Sequence, residues 1–479
     1  MNIRNSVELT GTQVKAPIVE ALKQSVEHPT YQFHIPGHTK GQGVYPEFRK
    51  LVGKKALLVD TTDEFDNLGT LNPASGPIKE AEELAAKAFG AKKTFFLLNG
   101  STVGNIALAM GLTKQGQKII TNRNCHRSLL TGMIISGAEP LWLVPNRLEE
   151  WGIWGSVVPA DVEALLKTNE DVAMVWLTNP TYEGVVSDVK SISEICKKYD
   201  VPLVVDEAHG CLWYFNSQLP ISSLEVGADA VVHSLHKTGG SMSQSSMLHI
   251  SENSKLDVEK IDKALKLLHT TSPSLMLLAS LDASRAHLES SAGKNQLAKA
   301  IKNAKYLRKR IDKISGLHQL KSGLGYETDV MKIFMKADGI SGKRLESILE
   351  VDFKIEVESA SDVGLLLLAN IGNKRSDFEY LAESLEKISK KEYSDICHEE
   401  NKKHMPMLTP IIKMNIRDAY FSDKETVLKE NAIGRISGEI IAECPPGIAI
   451  LVPGELITQE HMLYLEDYEH VEVLKENII

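Results

Sequence analysis

Pro202-Leu203-Val204-Val205-Asp206-Glu207-Ala208-His209 and Ala230-Val231-Val232-His233-Ser234-Leu235-His236-Lys237-Thr238-Gly239-Gly240 are the two stretches that decide how this chain folds. Each is a short apolar run that ends in polar, titratable residues. A strand in a buried parallel sheet delivers chemistry to the crevice at its C-terminal edge in this way. Further apolar runs, Thr94–Leu98, Lys118–Thr121, Pro140–Val144, Val172–Leu177 and Met247–Ile250, recur between helical or turn segments. Together they predict an α/β domain built on a mostly parallel seven-stranded sheet.

Around that domain, taken as 51–285, the chain divides into an N-terminal arm (1–50), a smaller α+β domain (286–395) and a C-terminal subdomain (396–479). The arm carries one helix, near Ala16 to Ser25. The smaller domain opens on a basic helix from Lys294 to Ile314. Its Leu297, Ile301, Ala304, Leu307, Ile311 and Ile314 share one face, and Lys299, Lys302, Lys305 and Lys309 lie mostly off it. That is an amphipathic, solvated helix rather than a nucleic-acid patch. Strand-like Val330–Met335, a helix around Ser341–Leu349 and Gly364–Asn370 follow. The charged run Lys390 to His404 marks the last boundary, and a Gly/Pro-rich element, Cys444 to Glu455, lies beyond it.

Composition narrows the function classes. At 479 residues the chain exceeds one core. Its net charge of −9 disfavours nucleic acid as a partner. No apolar run approaches the roughly 18 residues that span a bilayer, and the N-terminus lacks an apolar signal core. The five cysteines are scattered and unpaired in spacing, which suits a reducing cytoplasm and no disulfide framework.

An acid at one strand end and a lysine at a later one suit pyridoxal 5'-phosphate (PLP). The lysine forms the Schiff base, and the carboxylate keeps the pyridine nitrogen protonated. Asn99-Gly100-Ser101-Thr102-Val103-Gly104-Asn105 stands between a strand and an apolar helix, an anion-binding arrangement in which free N–H groups and the helix dipole face a phosphate. Neither a Walker A loop nor a GxGxxG fingerprint is present. Asn122-Arg123-Asn124-Cys125-His126-Arg127-Ser128 and Thr178-Asn179-Pro180-Thr181-Tyr182-Glu183-Gly184 also follow strands. His126 could stack on a flat ring or polarise a substrate, or be a plain loop histidine; Cys125 reads as a buried small residue. The histidines form no HExxH motif or short Cys/His pair, and Pro36-Gly37 interrupts His34 and His38, so no metal site is expected.

Taken together, these stretches resemble the PLP-dependent ornithine/lysine/arginine decarboxylase family of fold type I (the aspartate-aminotransferase fold). The resemblance spans nearly the whole chain: Phe33-His34-Ile35-Pro36-Gly37-His38, Asp63–Leu68, Ser75–Ile78, the four cofactor stretches, Thr271–Ser274 with Leu278–Asp282, and Pro445-Pro446-Gly447 with Pro453-Gly454-Glu455. It implies that Lys237 carries the Schiff base, Asp206 pairs with the pyridinium, His126 stacks on the ring and Ala208 packs its other face. Ser101, Thr102 and Ser234 would hold the phosphate, Val103 would also contact the cofactor, and His236 and His209 would stand close by. It also implies a homodimer or larger homo-oligomer with shared sites, in which Thr271 and Ser272 reach the neighbouring phosphate. His209 stands where some relatives carry tryptophan, and Gly239-Gly240 replaces the Leu-Pro of others. No receiver-like N-terminal domain is recognised, so the resemblance does not by itself imply the decameric assembly of the large acid-induced enzymes.

The implied reaction is decarboxylation of a small basic amino acid, with Lys237 or His236 returning the proton. The distal cation needs a carboxylate, for which Asp63, Glu64, Asp66 and Glu183 are candidates. Thr238-Gly239-Gly240 resembles the small bacterial arginine decarboxylases, so the expected substrate is L-arginine, giving agmatine for polyamine synthesis. Lysine or ornithine remain open. An aminotransferase of the same fold is the nearest rival and would use an arginine such as Arg375, Arg417 or Arg435 for the substrate carboxylate. A noncatalytic PLP-binding protein is the other rival.

Overall fold

The computed structural model describes residues 14–28, 30–62, 67–323, 325–390, 408–443 and 445–475. Its centre is a sheet of β1 (Ala91–Leu97), β2 (Lys118–Asn122), β3 (Glu139–Leu143), β4 (Val172–Thr178), β5 (Leu203–Asp206), β6 (Ala230–His233) and β7 (Ser246–Ser251). The order is β1-β7-β6-β5-β4-β2-β3, with β7 antiparallel to both its neighbours and the other pairs parallel. Every expected run is a strand, displaced by three residues at most. Successive residues serve opposite faces, as strand geometry requires. Trp176, Val204 and Val232 enter one hydrophobic core, while Val175, Leu177, Val205 and Val231 enter the other. Both faces are covered, so the strands read as continuous apolar runs rather than alternating ones. Each fully buried Val or Leu contributes on the order of 1.5–3 kcal/mol.

Helix α1 (Pro17–Glu27) begins with proline at its first position and buries Ile18, Ala21 and Leu22, spaced i, i+3, i+4. It packs on α2 (Gly76–Ala88) and α5 (Leu275–Glu289); α3 (Gly100–Leu112) and α4 (Arg127–Ser136) lie on the sheet. A buried pair pins it: Asp282 Oδ2 accepts from the Ile18 N–H at 2.9 Å, and the Arg285 guanidinium spans Asp282 and the Lys15 carbonyl. The basic helix is α6 (Ser291–Ile311), with Leu297, Ile301, Ala304, Leu307 and Ile311 buried and its five lysines exposed. Ser290 alone separates α5 from α6, and Gly293 in the first turn of α6 lies close against α5, where a Cβ would sit 1.8 Å from the His287 carbonyl oxygen.

A four-stranded antiparallel sheet follows, with strands Leu317–Gln319, Lys332–Ala337, Leu365–Leu368 and Ser359–Ala360 in that order. The division expected near 395 lies outside the described residues. Beyond it, Ile441–Glu443 pairs with Ile448–Leu451, and Lys424–Leu428 with His470–Leu474. The first of these pairs is tied to the large sheet by Arg123, which donates to the Ala449 and Ile450 carbonyls at 2.6 and 3.0 Å. No helix among the described residues is long and apolar enough to cross a membrane.

Candidate active site

The C-terminal ends of the parallel strands open on a cavity of about 580 Å³. Register aligns these ends: Thr178, Asp206 and Val232 stand side by side on β4, β5 and β6, and the first two line the cavity. Lys237 follows β6 in a single helical turn, Leu235–Thr238. Ser101, Thr102, His126, Asp206, Ala208, His209, Ser234, His236 and Lys237 all line this one cavity, so the sequence-expected residues converge although they come from four separate strand ends.

Their hydrogen bonds define roles. Asp206 is buried; its Oδ2 accepts from Asn105 Nδ2 at 2.9 Å and its Oδ1 from the Ala208 N–H at 3.2 Å. The Asn105 amide also donates to Ser128 Oγ at 2.9 Å, and Ser128 bonds His126 Nδ1 through its hydroxyl (2.7 Å) and its N–H (3.2 Å). Because a backbone N–H can only donate, Nδ1 of His126 is an acceptor and its proton sits on Nε2. Burial, followed by the Lys237 charge, holds His126 neutral against the pull of Asp206. Nδ1 of His236 lies 2.8 Å from the Ser245 carbonyl and therefore donates, leaving Nε2 as a base, and burial lowers its pKa. His209 is buried between two amines and its pKa is driven well down, first by burial and then by Lys237 and Lys332.

At the start of α3, the Ser101 and Ser234 hydroxyls lie 2.7 Å apart. The first-turn amides of Ser101 and Thr102 have no intrahelical carbonyl to bond. Gly100 takes a φ of +65° there and its N–H donates to the Gln244 carbonyl at 2.8 Å, which joins the turn to the Lys237 loop. These donors fit a phosphate, the cavity walls fit a flat ring, and Asp206 with Lys237 fits the polar ends of PLP. The Val103 side chain is buried in the hydrophobic core and does not line the cavity, so any contact from this residue to a cofactor is left to its first-turn N–H. Two residues on in the same helix, Asn105 returns to the cavity face.

The acidic candidates fall differently. Asp63, Glu64 and Asp66 lie outside the described residues. Glu183 is buried, with its pKa raised by that burial, and lines a smaller neighbouring recess rather than this cavity. Besides Asp206, the carboxylate that lines the cavity among the described residues is Glu358, whose Oε1 accepts from the Tyr182 hydroxyl at 2.7 Å. Its signal in the sequence was slight, since Glu356-Val357-Glu358 precedes a strand with no motif around it. Lys332 was also missed. Thr271 and Ser272 are exposed and do not line this chain's cavity. Cys125 is buried and its thiol is pushed up to about 12, so it is no nucleophile. Among the described residues no group of His, Cys, Asp and Glu could hold a metal ion. The arginines an aminotransferase would need are engaged elsewhere: Arg375 with Glu379, Arg417 with the Ile134 and Ile135 carbonyls, Arg435 with Glu425.

A sheet with one antiparallel strand among seven, a lysine after β6 and an acid ending β5 define a fold type I enzyme. Residues 16–328 match the family model described as Orn/Lys/Arg decarboxylase, major domain, and the chain belongs to that family. It is 36% identical over 462 residues to an arginine decarboxylase of Bacillus subtilis, covering 95% of this chain and 94% of that one. Its identity to an arginine decarboxylase of Halalkalibacterium halodurans is 35% over 462 residues, again 95% and 94%. Among solved structures it superposes on a lysine decarboxylase of Francisella novicida with a TM-score of 0.83 at 21% identity, covering 96% of this chain and 81% of that one.

Proposed function

We propose that this chain is a cytoplasmic, PLP-dependent decarboxylase that converts L-arginine to agmatine and CO2, a step toward polyamines, with lysine and ornithine as the alternatives. The observation that carries it is the meeting of Lys237 and Asp206 in one cavity, in a chain that shares more than a third of its residues with an arginine decarboxylase. Lys237 Nζ is the attachment point and Asp206 the partner of the ring nitrogen, kept in place by Asn105. His126, oriented by Ser128, covers one face of the ring and Ala208 the other. Ser101, Thr102 and Ser234 take the phosphate at the start of α3. When bound, the cofactor supplies the sink for the electron pair left as CO2 departs. Lys237 and Nε2 of His236 are placed to return a proton to the substrate carbon. Glu358, braced by Tyr182, takes the distal guanidinium through charge-assisted hydrogen bonds. Thr271 and Ser272 lie away from this cavity, so a phosphate contact from them needs a second copy, as a homodimer would supply.

The test is CO2 release by PLP-loaded protein given arginine, lysine and ornithine separately, with Lys237→Ala as control. Release with arginine at least about tenfold faster than with the others is expected, and none from Lys237→Ala. Release led by lysine or ornithine would refute the substrate. No release from any of the three would refute decarboxylation of basic amino acids.

A further inference from the structure

Thr178 ends β4 directly beside Asp206. Trp176 and Val204, two residues before each, enter the same hydrophobic core, so Thr178 and Asp206 project from the sheet face that carries α3 and α4. Thr178 lines the cavity, and its N–H donates to Asn122 Oδ1 at 2.9 Å. Its Oγ1 is buried and has no partner among the described residues. A buried hydroxyl left unpaired destabilises a fold, and valine would fill the same space without that cost. The polar residues around it are engaged or turned away. The Tyr182 hydroxyl donates to Glu358, and His209 meets Lys237 at Nε2 and Lys332 at Nδ1, each at 2.9 Å. Asn179 accepts from the Ser187 N–H at 2.8 Å and does not line the cavity.

Strand order sets this hydroxyl against the rest of the site. Ser101 follows β1 and Ser234 follows β6, so both stand on one side of Asp206, and Thr178 stands on the other. In PLP the ring nitrogen lies across the ring from the carbon that bears the aldehyde. The two carbons flanking that one carry the phosphate arm on one side and the phenol oxygen on the other. With the nitrogen at Asp206, the aldehyde at Lys237 and the phosphate at Ser101 and Ser234, the phenol oxygen falls on the β4 side. An ionised phenol oxygen only accepts, and the Thr178 hydroxyl can donate.

Resting on the function proposed above, we infer that Thr178 is a cofactor-binding residue whose hydroxyl donates to the phenol oxygen of PLP. It fixes the flank of the ring that the phosphate contacts leave loose.

The experiment titrates apoprotein with PLP and with 3-deoxypyridoxal 5'-phosphate, which lacks only that oxygen, by fluorescence and without turnover. Thr178→Val removes the hydroxyl and keeps the shape. Its Kd for PLP is expected to rise about tenfold or more, the value of a bond to a charged acceptor. Its Kd for the deoxy compound should stay within about twofold of wild type, because that compound has no bond to lose. Thr178→Ser keeps the donor and should bind PLP within about threefold of wild type. The Thr178→Val apoprotein should unfold at no lower temperature than wild type, since no bond is lost without cofactor. Equal weakening toward both compounds would show a structural role and overturn the inference, as would an unchanged Kd for PLP in folded Thr178→Val. If Thr178→Val fails to fold, Thr178→Ala carries the same comparison, and equal wild-type affinities for the two compounds overturn the inference without any variant. Wild-type apoprotein that captures neither compound would instead refute the cofactor reading on which the inference rests.

Discussion

Replacing Asn105 by alanine tests the cofactor site at the last residue of the cradle stretch, to which the sequence assigns no role of its own. The side chain is buried, and its Nδ2 donates to Asp206 and Ser128 at 2.9 Å each. Its Oδ1 has no partner among the described residues, so the loss lies in the two donations. Alanine suits the helix interior, and the fold should hold. In the empty cavity a water molecule can replace the amide against Asp206. With the ring in place that water is excluded, so the cost falls on the bound state. A hydrogen bond to a charged group is worth about 1.5–3 kcal/mol, which corresponds to roughly a 10- to 150-fold rise in the Kd for PLP. Titrating apoprotein with PLP by tryptophan fluorescence measures this, with thermal unfolding as the fold control. A change below about threefold in a normally stable variant would refute the reasoning that Asn105 supports Asp206 in the bound state.

Glu358→Gln should lower kcat/KM for arginine by about tenfold or more, since a charge-assisted bond becomes a neutral one, and should leave PLP affinity unchanged; equal kinetics would return the distal cation to another acid. Arg123→Met should lower the unfolding free energy by about 3 kcal/mol, because two buried carbonyls and the nearby Glu455 lose their cation; urea unfolding reads this, and a loss under about 1 kcal/mol would show that the C-terminal strands hold without it. For pH, His249 is buried with Nδ1 on the Thr94 hydroxyl, and burial keeps its pKa well below the usual value. A depressed histidine pKa means that the unfolded chain binds the extra proton, so stability is full above about pH 6.5 and falls as pH drops below it, by up to about 1.4 kcal/mol per unit. His249→Gln should flatten that acid slope in urea unfolding between pH 6.5 and 5.5; an unchanged slope would contradict the assignment.

Much of the site was legible because strand ends are local. Asp206 and Lys237 each stand beside the apolar run that positions them, and a doubly buried strand announces itself by composition alone. Asn105 was half visible: the cradle ran through it, but its partner Asp206 is 101 residues away, and nothing local marks such a pairing. The side chain of Val103 lies off the cavity for a simple geometric reason. Only some positions of the first helical turns face the phosphate, and Val103 is turned toward the sheet while Ser101 and Asn105, four apart, share the cavity side.

Glu358 and Lys332 were hidden for a different reason, and together they carry the argument for what the smaller sheet does. Both belong to an α+β segment whose local pattern says only strand or loop, and neither has a neighbour in sequence that explains a charge there. Lys332 would be costly to bury alone. It is tolerated because His209 accepts from it and because Asp329, itself bonded to Trp213 Nε1 at 2.8 Å, stands nearby. The large sheet supplies the lysine, the acid and the phosphate cradle that fold type I chemistry requires. The smaller sheet adds Glu358, which would specialise this general site for a cationic substrate, and brings Lys332 up to His209. The departure at His209 fits this division, since a tryptophan there has a donor but no acceptor nitrogen and could not link a buried lysine to Lys237.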